Sequence, residues 1–149
     1  MSEGQTYGRE ARIQSEGESP VTGMSQRNIT FAGAYYKAMN DKDSAAVARR
    51  LHGDVQFVGP MANLVGKDAV VEAATGFMAL IKGIRIRAQF GFEDEVMLAY
   101  DADFGEPIGI CRTAVLMTFK DNLIKRIELF YDAAPFEKNL KKGAIFSSR

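Results

Sequence analysis

The chain has 149 residues, 46% of them hydrophobic and 26% charged, the size and balance of a single globular domain rather than a disordered or membrane-embedded chain. Its 19 basic residues offset 19 acidic ones, and zero formal charge argues against a nucleic-acid binder held by a clustered basic field. One cysteine, Cys111, excludes an intrachain disulfide and a thiolate zinc site, and one histidine, His52, excludes a histidine-rich metal site.

Residues 1–24 are rich in Gly, Ser and Glu, with Pro20 and Gly23 before the pattern changes, and read as a flexible arm outside the fold; Met24 is an alternative start. The arm carries Glu3, Arg9, Glu10 and Arg12 and no apolar segment, so a signal peptide is not expected. No run is long and apolar enough to span a bilayer, since Glu72 interrupts the best one, and a cytoplasmic protein follows by default.

From Ser25 the spacing of Ile29, Ala32, Tyr35, Tyr36 and Met39 predicts a helix. Asn40 to Asp43 breaks it, and Asp43 is placed to cap a short second helix through Leu51, stopped by His52-Gly53-Asp54. A strand, Val55 to Val58, ends at Gly59-Pro60, and Met61 to Val65 reads as a loop. Gly66-Lys67-Asp68 opens a third helix with its stripe at Val70, Val71, Ala74, Phe77, Met78 and Ile81, closed by Gly83. Four strands follow: Ile84 to Phe92, Val96 to Phe104, Ile108 to Phe119 and Leu123 to Asp132, with Lys120-Asp121-Asn122 turning into the last. Beyond Ala133 lies a tail.

Successive hairpins curl into an antiparallel sheet, and the helices must cover one of its faces, giving an α+β fold. The strand from Ile108 is apolar on both faces, with Ile110, Ala114 and Leu116 on one and Cys111, Val115, Met117 and Phe119 on the other. A sheet covered on one side only should be polar on its second. A homodimer through the outer sheet face is the economical way to cover both.

The strand Val96–Phe104 carries the sharpest chemical signal. Alternation places Met97, Ala99, Asp101 and Asp103 on one face and Val96, Leu98, Tyr100 and Ala102 on the other. Two carboxylates on an apolar strand are costly to bury unless paired, protonated or used. In a dry pocket they cannot both ionise cheaply, so one can act as acid and its neighbour as base. Asp103 and its partner Asp101 are therefore the candidate catalytic pair. If that face is wet, both acids are simply solvated.

The element order resembles the nuclear-transport-factor-2-like superfamily, a cone of curved sheet plugged by three helices around a deep pocket. It is most similar to the SnoaL-like polyketide cyclase and limonene epoxide hydrolase branch. The likeness spans Ser25 to Phe136 and rests on that order, on Leu51-His52-Gly53-Asp54-Val55, on Gly66-Lys67-Asp68-Ala69-Val70, and on Phe130-Tyr131-Asp132. It implies a cystatin-like α+β barrel, residues 25–149, without a cofactor or metal. It also implies a pocket for a small lipophilic molecule, lined by Gln56, Val58, Tyr131, Thr113, Leu129, Met78 and Tyr35. The epoxide-hydrolase machinery is mostly absent: its Arg-x-Asp falls on Asp101-Ala102-Asp103, its second Asp on Leu129, and its water-holding pair on Gln56 and Val58. The ketosteroid-isomerase base falls on Gly59. The function implied is a cofactor-free acid–base enzyme of isomerase, cyclase or hydrolase type. The alternative is a non-catalytic ligand-binding or dimeric association module.

Overall fold

A computed structural model describes residues 23–141. The N-terminal arm, but for its last two residues, and the end of the tail lie outside them. The elements are α1 (Gly23–Asn40), α2 (Ser44–Arg49), β1 (Leu51–Val58), β2 (Asn63–Val65), α3 (Lys67–Leu80), β3 (Gly83–Phe92), β4 (Glu95–Asp103), β5 (Ile110–Lys120), β6 (Leu123–Phe130) and α4 (Ala134–Lys141). Six strands form one curved, unclosed sheet in the order β2-β1-β6-β5-β4-β3, and the helices α1 to α3 fill its concave side. This is an α+β cone.

Several boundaries differ from the sequence reading, each for a local reason. The sheet is mixed rather than wholly antiparallel, because β1 runs parallel to β6 while every other pair is antiparallel. Strand β1 begins at Leu51, so His52 lies in a strand, not at a helix end; its Nδ1 accepts from the Asp54 N–H at 3.0 Å. Residues 63–65, read as loop, form the short edge strand β2, whose side chains give no pattern over three positions. Helix α3 ends at Leu80, ahead of Gly83, which opens β3 instead. The tail contains α4, for which Asp132 Oδ1 accepts from the Ala134 N–H at 3.0 Å.

Three side-chain clamps join the layers. Asp43 caps α2 as its spacing predicts, its carboxylate accepting from the Ala46 N–H at 3.0 Å. Lys42 donates from its Nζ to the Met78 and Ile81 carbonyls, placing a cation at the C-terminal end of α3 where it offsets the helix dipole. The Asn40 side chain accepts from Ile84 N–H at 2.7 Å and donates to Ile84 C=O at 2.9 Å, fastening the end of α1 to the start of β3. Asp121 and Asn122, with φ of 55° and 66°, make the two-residue β5–β6 turn in the left-handed conformation that hairpins favour. The β3–β4 register shifts between Ile86 and Ala88, and the β5–β6 register between Thr118 and Phe119; such irregularities bend a sheet and sharpen its curl.

The core lies between the helices and the concave face. Leu98, Val115, Met117, Ile124 and Ile127 from the sheet meet Ala32, Val47, Val70 and Met78 from the helices, all fully or almost fully buried. Met78 belongs to this packed core and is not among the residues that line the cavity described next.

Candidate functional site

Toward one end the packing between α1, α3 and the sheet opens into a cavity of about 120 Å³. Its walls are chiefly apolar or aromatic: Phe57 from β1, Val70 and Phe77 from α3, Ile127 and Leu129 from β6, Phe104 after β4, and Phe136 from α4. Its polar atoms come from Tyr35 and Tyr36 on α1, Tyr100 on β4, Cys111 and Thr113 on β5, and Tyr131 after β6. No Asp, Glu, His, Lys or Arg is among the lining residues.

Strand parity decides who enters. On β4 the residues Val96, Leu98, Tyr100 and Ala102 are buried, so Asp101 and Asp103 occupy the opposite, convex face. The expectation that this pair points into the hollow is thus corrected. The face without charge, Val96-Leu98-Tyr100-Ala102, is the one that docks on the helices, since that leaves both carboxylates able to find charge or backbone partners outside. Asp101 meets Arg85 at 3.1 Å and Arg87 at 3.6 Å, and Asp103 Oδ1 accepts from the Gly105 N–H at 2.9 Å. The same rule moves Gln56 and Val58 outward: they flank the inward Phe57, and Gln56 accepts from Arg126 on the outer surface at 3.4 Å. Tyr35, Thr113, Leu129 and Tyr131, by contrast, all reach the cavity.

Sequence reading missed the hydroxyl chain on its floor. Tyr36 and Thr113 both interact through their hydroxyls with that of Tyr100, while Thr113 Oγ1 lies 3.6 Å from Cys111 Sγ and donates to the Cys111 carbonyl at 3.5 Å. The rings stack as they converge, Tyr36 tilted against Tyr100 at 4.8 Å and edge-on to Tyr35 at 5.1 Å. Burial raises the pKa of Tyr35, Tyr36 and Tyr100 well above the usual phenol value; neighbouring phenols add to the rise at Tyr35 and Tyr36, whereas the hydroxyls of Tyr36 and Thr113 offset part of it at Tyr100. Burial likewise raises Cys111, partly offset by its hydrogen bond with Thr113, and raises Tyr131. At neutral pH the cavity therefore presents protonated phenols and a thiol: donors in a dry place, with no anionic side chain. Tyr35 and Tyr36 sit one helical turn from Ala32 and Met39, so helical spacing alone made them look like core.

Among the described residues no group of three His, Cys, Asp or Glu side chains is placed to hold a metal ion, and no helix is long and apolar enough to cross a membrane.

No curated protein sequence matches the chain. Among solved structures it is similar to a protein from Kribbella flavida, at 23% identity and a TM-score of 0.71, covering 78% of this chain and 97% of that one. It is also similar to a nuclear-transport-factor-2-like protein of Cytophaga hutchinsonii, at 17% identity and TM-score 0.66 over 80% and 98% of the two chains. TerC, crystallised with polyporic acid, is similar at 20% identity and TM-score 0.65 over 77% and 98%. At such identities the likeness concerns the fold. The SnoaL-like domain model matches residues 32–127, from the middle of α1 into β6. On that match the chain belongs to the SnoaL-like family, and its fold is shared with nuclear-transport-factor-2-like proteins of solved structure.

Proposed function

We propose that the cavity binds a small, uncharged, lipophilic molecule of about one ring that carries an acceptor oxygen, and that Tyr100 donates the hydrogen bond that orients it. The observation that carries this reading is the Tyr36–Tyr100–Thr113 chain set in an apolar wall without any ionised side chain. An anionic ligand would lose its hydration there and gain no countercharge. A cavity of roughly 150 Å³ accommodates benzene, so one of about 120 Å³ suits a single ring, not a polycycle. Tyr35, Thr113, Leu129 and Tyr131 are its companions on the wall. That TerC was crystallised with polyporic acid supports an organic ligand for this fold.

The binding-module reading is favoured over the acid–base enzyme, because general base catalysis needs an acceptor of suitable pKa within reach of the substrate, and the described lining supplies only donors with raised pKa values. The test is calorimetric titration with phenol and 2-cyclohexenone. One-site saturation with a negative heat-capacity change is expected, and Tyr100→Phe should weaken it by about tenfold, the worth of one hydrogen bond in a dry site. Absence of saturable binding by either compound overturns the reading.

For the convex face we propose a second copy of this chain. Its central row is small and apolar, Ala88, Ala99, Ala114 and Phe130 side by side in register, followed by Phe90, Met97 and Leu116. The charges flanking that stripe are already balanced within the chain, Asp101 by Arg85 and Arg87 and Glu128 by Arg126. A two-fold axis through the alanine row would bury the exposed Phe90, Met97 and Phe130 of each protomer against the same stripe of the other, the self-complementarity an isologous interface requires. Sedimentation should find a dimer that Leu116→Lys converts to monomer; a wild-type monomer at micromolar concentration overturns it.

A further inference from the structure

Beside the cavity lies an open depression on the convex side, edged by Ile110, Arg112, Asp132 and Asp101. The two hollows share Cys111 and Phe136, so these side chains are the partition between them. Cys111 belongs to a strand of the sheet and cannot leave without breaking it. Phe136 comes from α4, which follows the sheet. The bonds of Ala134, Glu137 and Asn139 close within the segment itself: Ala134 on Asp132, Glu137 N–H on Ala133 C=O, Asn139 Nδ2 on Pro135 C=O at 2.6 Å. The Phe136 ring is 3% exposed and packs edge-on against Phe104 at 5.0 Å and Tyr131 at 5.6 Å.

We infer that Phe136 is the specificity-determining residue of the cavity: with its ring seated the site ends after one ring, and with the ring withdrawn the cavity runs on into the depression and admits a longer ligand. This inference rests on the ligand reading above. The chemistry of the extended site follows from its second half. There the wall changes from aromatic to charged, with Arg112 and Asp132 at the edge. The longer ligand is therefore a two-ring lipophile whose far end is polar and reaches water, while its near oxygen remains on Tyr100.

The test uses the full chain with Phe136→Ala and, because that change removes a buried ring, the milder Phe136→Leu. Phenol and 4-(4-hydroxyphenyl)benzamide are the probes, the second being a two-ring phenol with a polar end. Wild type is expected to prefer phenol. Both variants should reverse the preference, Phe136→Ala by about tenfold, the order that one deleted contact surface produces in affinity. Cys111 reports the partition without any ligand: as the only cysteine, its alkylation by iodoacetamide should quicken by roughly tenfold when its cover is lost. Folded variants whose Cys111 rate and ligand preference both equal wild type overturn the inference, as does an unchanged preference alone. If wild type binds neither phenol, the ligand reading fails, and this inference falls with it. A quickened Cys111 with a reversed preference upholds it.

Discussion

The two faces of β4 and β5 are made of alternating residues of the same strands, yet they do different work. Inward, Leu98, Tyr100, Thr113, Val115 and Met117 are buried against helices and cavity. Outward, Met97, Asp101, Ile110 and Arg112 stand one residue away from them, partly or largely in water. Polar groups follow the same division: hydroxyls that can satisfy one another line the inside, while charges are kept outside, where Asp101 is 17% exposed between two arginines. A hydroxyl chain can be dried at modest cost because each member is both donor and acceptor; a carboxylate cannot.

The sharpest way to break this comparison is to truncate one residue on each face. Leu98→Ala should lower stability by about 2–5 kcal/mol, since it empties packed volume, whereas Met97→Ala, measured dilute, should stay within about 0.5 kcal/mol. Denaturant midpoints check both. Equal losses would mean that the outer face is packed as tightly as the inner one.

A smaller effect appears at alkaline pH. The three buried phenols have pKa values raised by desolvation, so the folded chain keeps their protons after the unfolded chain begins to lose them near pH 10. The unfolded state then binds fewer protons, and stability falls as pH rises above about 10, having been independent of these groups below it. Replacing Tyr35 by Phe should flatten the fall, as followed by thermal unfolding between pH 9 and pH 11.

The smallest effect belongs to the acids first expected to be catalytic. Asp101→Asn should cost less than about 1 kcal/mol, because its arginine partners are themselves half or more exposed, and salt should shrink the difference. Asp101→Asn and Asp103→Asn should leave phenol affinity in the calorimeter unchanged. A tenfold loss for either would return the pair to the ligand's surroundings.

The alternation on β4 was legible residue by residue, and so were the helix stripes, the Asp43 cap and the hairpin at Asp121-Asn122. What alternation cannot say is which face turns inward; that is settled by the helices, far away in sequence. The absence of charge among Val96, Leu98, Tyr100 and Ala102 was the available signal, and it outweighs the interest of a carboxylate pair. Helix α4 also left a trace: Asp132 followed by Pro135 in the first turn is a helix-start pattern. Its charged surface made it read as tail. The Tyr36–Tyr100–Thr113 chain joins residues far apart in sequence and had no linear signature at all.

Because the sheet does not close among the described residues, β3 is its border strand there, ten residues long, with Asn40 covering only the Ile84 backbone groups. A naked border of that length invites another chain to add on, the first step toward fibrils. Arg85 and Arg87 stand on it, and the register slip between Ile86 and Ala88 interrupts its run of backbone partners. Neutral substitutions at both arginines would leave the native fold in place, yet turbidity on prolonged storage should rise, since like-charge repulsion would no longer hold neighbouring molecules off.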